Sequence, residues 1–134
     1  MRTRLNLFIV ALATTLLALP AQAATSVLAA RSSSVAGVTV KITPRALDGA
    51  LWTFDVVLDT HTQTLSDDLE KTVILVADGN TTPASAKWQG DPPGGHHRSG
   101  TLQFKAVSPM PAAIELRITR QGETKPRLFS WTLR

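Results

Sequence analysis

The chain has 134 residues, 43% of them hydrophobic and 18% charged, with a formal net charge of +4. That fits one ordinary domain with enough apolar surface for a core; it excludes a disordered chain and leaves no room for a second domain. There is no cysteine, so disulfides, thiolate chemistry and cysteine-ligated zinc or iron–sulfur centres are excluded as well.

Residues 1–23 have the pattern of a secretory signal peptide. Arg2 and Arg4 give the positive start, Leu5 to Leu19 is apolar apart from Asn6, Thr14 and Thr15, Pro20 breaks the run, and Ala21-Gln22-Ala23 supplies the small-x-small cleavage pattern. The apolar run of about 15 residues is short of the roughly 20 that span a bilayer. Cleavage after Ala23 is therefore expected, giving a periplasmic or secreted protein with no membrane insertion afterwards. Two of the 14 Lys and Arg fall in this leader, which leaves 12 against 10 acidic residues. Those 12 are scattered, and without a clustered basic patch no nucleic acid partner is expected.

Residues 24–36 are small and polar, with Ser32-Ser33-Ser34 at the centre, and are expected to form a flexible N-terminal lead. From residue 37 to 134 the apolar residues recur with period two. Val38, Val40 and Ile42 alternate with polar neighbours, and Pro44 and Asp48-Gly49 then turn the chain. Trp52, Phe54, Val56 and Leu58 form the strongest strand pattern. Ser66 to Glu70 suggests one helical turn capped by Ser66, with the acidic stretch from Asp67 solvated. Thr72 to Val76, apolar on both faces, predicts a central strand. Asp78-Gly79-Asn80 is a turn signal, and Ser85 to Trp88 a short strand. Leu102 with Phe104, Ile114 to Ile118 and Phe129 to Leu133 complete the set, with Pro109-Met110-Pro111 and Gln121-Gly122-Glu123 between them. About seven short strands at regular spacing and no long helix predict an all-β fold, an immunoglobulin-like antiparallel β-sandwich, with a small barrel as the alternative.

Two stretches stand out. Trp52 to His61 ends in Leu58-Asp59-Thr60-His61. Leu65, Asp68-Leu69 and Trp88 follow, and then Gly94-Gly95-His96-His97-Arg98-Ser99-Gly100-Thr101-Leu102. In this pairing the chain, from about Val38 to Phe104, resembles small prokaryotic secreted domains that combine an LDTH-type strand end with a GGHHR-type loop. No function is known for that group, so the resemblance implies no role and no catalytic residue.

The two loops hold all three histidines. One reading is a metal centre with Asp59, His61, His96 and His97 as ligands; three nitrogens and an oxygen would suit zinc or copper. Asp59 and His61 share a face if the strand continues, whereas His96 and His97 would point to opposite sides unless Gly94 and Gly95 bend the loop. The spacing matches no established zinc signature. The competing reading, which the sequence favours, is a polar clasp with His61 bonded to the opposite loop and Asp59 paired with Arg98.

A second class of function is a binding surface for a protein, peptide or glycan, formed by the end loops of the sandwich. Trp88 and Arg98 are its candidate residues, since Trp52 and Trp131 lie in apolar alternation and are expected in the core. A hydrolase is the weakest reading. Ser99, His61 and Asp59 can be written as a trio, but no nucleophile elbow, Ser-x-x-Lys, His-Glu-x-x-His or phosphate loop is present. The sequence thus points to an exported, non-catalytic binding or accessory domain.

Overall fold

The computed structural model describes residues 28–134; the expected signal peptide lies outside them. Nine strands run in the order β1 (Arg31–Val35), β2 (Val38–Ala46), β3 (Leu51–Thr60), β4 (Val73–Ala77), β5 (Asn80–Thr81), β6 (Lys87–Gly90), β7 (His97–Lys105), β8 (Ala113–Ile118) and β9 (Arg127–Thr132). A short helix, α1 (Leu69–Thr72), precedes β4. All strand pairs are antiparallel, in a five-stranded sheet ordered β1-β2-β3-β7-β6 and a four-stranded sheet ordered β5-β4-β8-β9. Taking β2, β3, β6 and β7 as A, B, D and E, and β4, β8 and β9 as C, F and G, these are the ABED and CFG sheets of an immunoglobulin-like sandwich. β1 is added beside A and β5 beside C.

Period two drives the packing. Val38, Val40, Ile42, Trp52, Phe54, Val56, Leu58, Leu102 and Phe104 face inward from the larger sheet. They meet Val73, Leu75, Ile114, Leu116, Ile118, Phe129 and Trp131 from the smaller one. In place of a disulfide, an aromatic contact bridges the layers: Phe54 lies 5.9 Å from Trp131 of the other sheet, and Phe104, its neighbour in the same sheet, packs edge-on 6.0 Å away. All seven expected strands are present, and the two additional ones are short. β1 falls within the stretch expected as a flexible lead; Ala36 and Gly37 (φ 48° and 76°) turn it back tightly onto β2. Pro44 does not end β2, which passes through it and is irregular between Pro44 and Ala46. The helical turn starts at Leu69, with Asp68 rather than Ser66 at its N-cap and no side-chain cap bond. No helix among the described residues is long and apolar enough to cross a membrane.

Registers fix what lies at each end. Val38 is opposite Thr60, Asp59 opposite His97, and Val73 and Arg127 both opposite Ile118. The β1–β2 turn and the β3–β4, β6–β7 and β8–β9 connections therefore share one rim. All three histidines belong to it.

Candidate functional site

The rim is stitched together by backbone hydrogen bonds. Thr60 N–H donates to the His96 carbonyl (2.9 Å), Leu65 N–H to Gly95 (3.0 Å) and Gly94 N–H to Leu65 (2.8 Å). The Leu65 side chain is fully buried and pins the β3–β4 connection to the core. Thr60 Oγ1 donates to the Gly37 carbonyl and Gln63 Nε2 to that of Ala36, which ties the same connection to the β1–β2 turn. The clasp expected from sequence, through His61 and an Asp59–Arg98 pair, is not what joins these loops: Asp59 pairs with His97 instead, and the connections are held by main-chain groups and by partners the sequence did not indicate.

Arg98 is the first of these. Expected either as the clasp partner of Asp59 or, in the other reading, on a binding surface, it is 1% exposed and meets neither expectation. β7 sends His97 outward and Arg98 inward, in line with Leu102 and Phe104. The guanidinium lies 5.6 Å from the Trp88 ring centre and donates to three main-chain carbonyls: Leu65 (3.2 Å), Asp67 (2.8 Å) and Asp91 (3.3 Å). Burial lowers its pKa, and Asp67, Asp91 and Asp68 oppose that shift. Its Nε is buried without a partner. Trp88, expected at the surface, is half-buried. Its Nε1 donates to the Asp91 carbonyl, its N–H is bonded by Glu70, and its ring covers Gly90 and Gly100. Both glycines are needed there: a Cβ on Gly100 would come within 2.7 Å of the ring and 2.6 Å of the Gly90 Cα.

Beyond Arg98, a buried ionic chain crosses to the other sheet. Asp67, expected in a solvated turn, has a side chain 4% exposed and takes both Arg120 Nε and Nη2 at 3.1 Å. Arg120 Nη1 donates to Glu123, which also accepts from Arg127. Arg127 continues to the carbonyls of Ser33, Val35 and Val38, 2.9–3.0 Å away, and so holds the β1–β2 hairpin. The hydrogen bonds from Arg127, and the charges of Arg127 and Arg120, keep the Glu123 carboxyl below its ordinary pKa against the opposing effect of burial.

The outward side is different in kind. Asp59 and His97, cross-strand neighbours, form a pair with Nδ1 2.5 Å from Oδ1 and both side chains more than half exposed. Facing an ionised carboxylate, which only accepts, the His97 ring donates from Nδ1. His61 and His96 are exposed on the same rim. Of the four candidate metal ligands, only Asp59 and His97 meet, and among the described residues no group of three or more His, Asp or Glu is arranged to hold an ion. Ser99, proposed as a nucleophile, donates from its Oγ and its N–H to Asp91, not to a histidine.

Scans against family models and searches of curated proteins and solved structures return no match.

Proposed function

We propose that the chain is an exported, non-catalytic binding or accessory domain that engages a protein, peptide or glycan through the loop rim. One observation carries this reading. The residues that shape the rim, Trp88, Asp67, Arg98, Arg120, Glu123 and Arg127, are turned inward and account for its structure. His61, His96 and the Asp59–His97 pair are turned outward, and the fold has no evident use for them. A rim braced from beneath presents these groups with little ordering left to do on binding. It occupies the end of the sandwich at which immunoglobulin variable domains carry their B–C and F–G recognition loops.

Site-directed photo-crosslinking in the exported fraction tests this. A probe at His96 should give a discrete adduct that excess unlabelled protein competes away. A probe at Met110, in the β7–β8 connection at the opposite end, should give none. Equal labelling from both positions, or none from His96, removes the reading. Zinc and copper titration of the same protein is the companion experiment: micromolar binding abolished by His97→Ala would replace the partner surface with a metal centre.

A further inference from the structure

The end of the sandwich opposite the rim carries a motif that the fold only partly explains. β4 ends at Ala77 and β5 begins at Asn80, so Asp78 and Gly79 form a two-residue turn with φ of 47° and 80°. That left-handed backbone accounts for the Asp-Gly pair. The Asp78 side chain is accounted for too, since Oδ1 accepts the N–H groups of Ala112 and Ala113 at 3.0 Å each. Asn80 is not. It is exposed, and its amide makes one local bond, Nδ2 to the Asp78 carbonyl at 3.2 Å. With Thr81 and Thr82 it completes Asn-x-Thr, the acceptor pattern for N-linked glycans on surface loops of exported proteins.

The surroundings suit an acceptor. β5 has two residues and sits at the open edge of the four-stranded sheet. Thr82 holds its end, with N–H and hydroxyl both bonded to the Leu75 carbonyl. So short an edge strand opens locally at low cost and frees that hydroxyl for recognition. A Cβ built on neighbouring Gly79 would meet nothing within 4 Å, so the turn beside Asn80 is open on that side.

We propose that Asn80 is an N-glycosylation site whose donor is an oligosaccharide carried on a polyprenyl pyrophosphate. Nδ2 bonds to the anomeric carbon of the first sugar and that carbon's bond to the pyrophosphate oxygen breaks. The polyprenyl pyrophosphate leaves with the electron pair, and the amide gives up one proton to a base of the transferase. The proposal rests on export, because donor and transferase act on the exported side of the membrane. Attachment at this end leaves the histidine rim uncovered.

Intact-mass measurement and peptide mapping of the protein purified from its own cells without fractionation read both points together. The expected result is an N-terminus at Ala24 and a glycan on the Asn80 peptide. The glycan is lost in Asn80→Gln and Thr82→Ala and kept in Thr82→Ser; Asn80→Gln, on an exposed turn, serves as the folded control. An N-terminus at Ala24 with bare Asn80 overturns the glycan and leaves export standing. A chain still starting at Met1 with bare Asn80 overturns both.

Discussion

His97 and Arg98 are consecutive basic residues on one strand, and they live in different physical worlds. His97 is mostly exposed and paired with one carboxylate in water, where such a pair contributes about 0.2–1 kcal/mol. Arg98 is 1% exposed, stacked near Trp88 and bonded to three carbonyls from two connections. One peptide step separates a residue that shapes the rim from one that the rim displays. Charge type alone therefore says little about role. Parity along the strand decides it, because it fixes whether a cation must find buried acceptors or can remain hydrated.

The contrast can be broken most strongly at Glu123, which joins Arg120 to Arg127. Glu123→Gln removes the charge between two buried guanidinium groups and should cost about 3–5 kcal/mol, read from the denaturant midpoint. The pH dependence has a definite sign. Because the folded carboxyl is held below its ordinary value, its contribution is present above the unfolded pKa and fades as the pH falls through the depressed one. The protection of the β1–β2 hairpin amides, taken relative to intrinsic exchange at each pH, should fall with acid in the wild type, and the Glu123→Gln variant should lack that component. Next comes Arg98→Lys. A compact ammonium cannot span three separated carbonyls, and a loss of about 1.5–3 kcal/mol is expected, with faster exchange at Leu65 and Gly94. Gly100→Ala should cost about 1–3 kcal/mol by forcing Trp88 and β6 away, visible as a shift in tryptophan fluorescence. The smallest effect sharpens the comparison: His97→Ala should change stability by about 0.5 kcal/mol or less while weakening the crosslink from His96.

Most of the seven main strands were legible because period two runs through Val38–Ile42 and Trp52–Leu58 and again near Leu102, Ile114 and Phe129, while Thr72 to Val76 was marked by being apolar on both faces. β1 was not. Its three serines carry no apolar signal, and Ala36-Gly37 is not the Asn-Gly or Asp-Gly pair that marks a tight hairpin. The shared rim of the histidines followed from the strand count, but the brace beneath them did not. A signal for it was nevertheless present. Arg98 precedes Leu102 and Phe104 in inward phase, Arg120 follows Leu116 and Ile118, and Arg127 precedes Phe129 and Trp131. Each arginine sits where the inward alternation runs past the last apolar residue towards the rim. Asp67 had no such mark, since its partner Arg120 is 53 positions away in the chain and only the fold brings them together.

Six of the acceptors used by Arg98 and Arg127 are carbonyls of the polypeptide itself, at Leu65, Asp67, Asp91, Ser33, Val35 and Val38. Carbonyls are the same whatever side chain a position bears. Outward positions such as Thr62, Thr64, Ser66, Gln121 and Thr124 are thus free to drift, or to be randomised in a library, while the guanidinium groups below keep the same loop shapes. A domain built this way is a ready frame for grafting new recognition surfaces, and with no cysteine in the chain its fold depends on no disulfide.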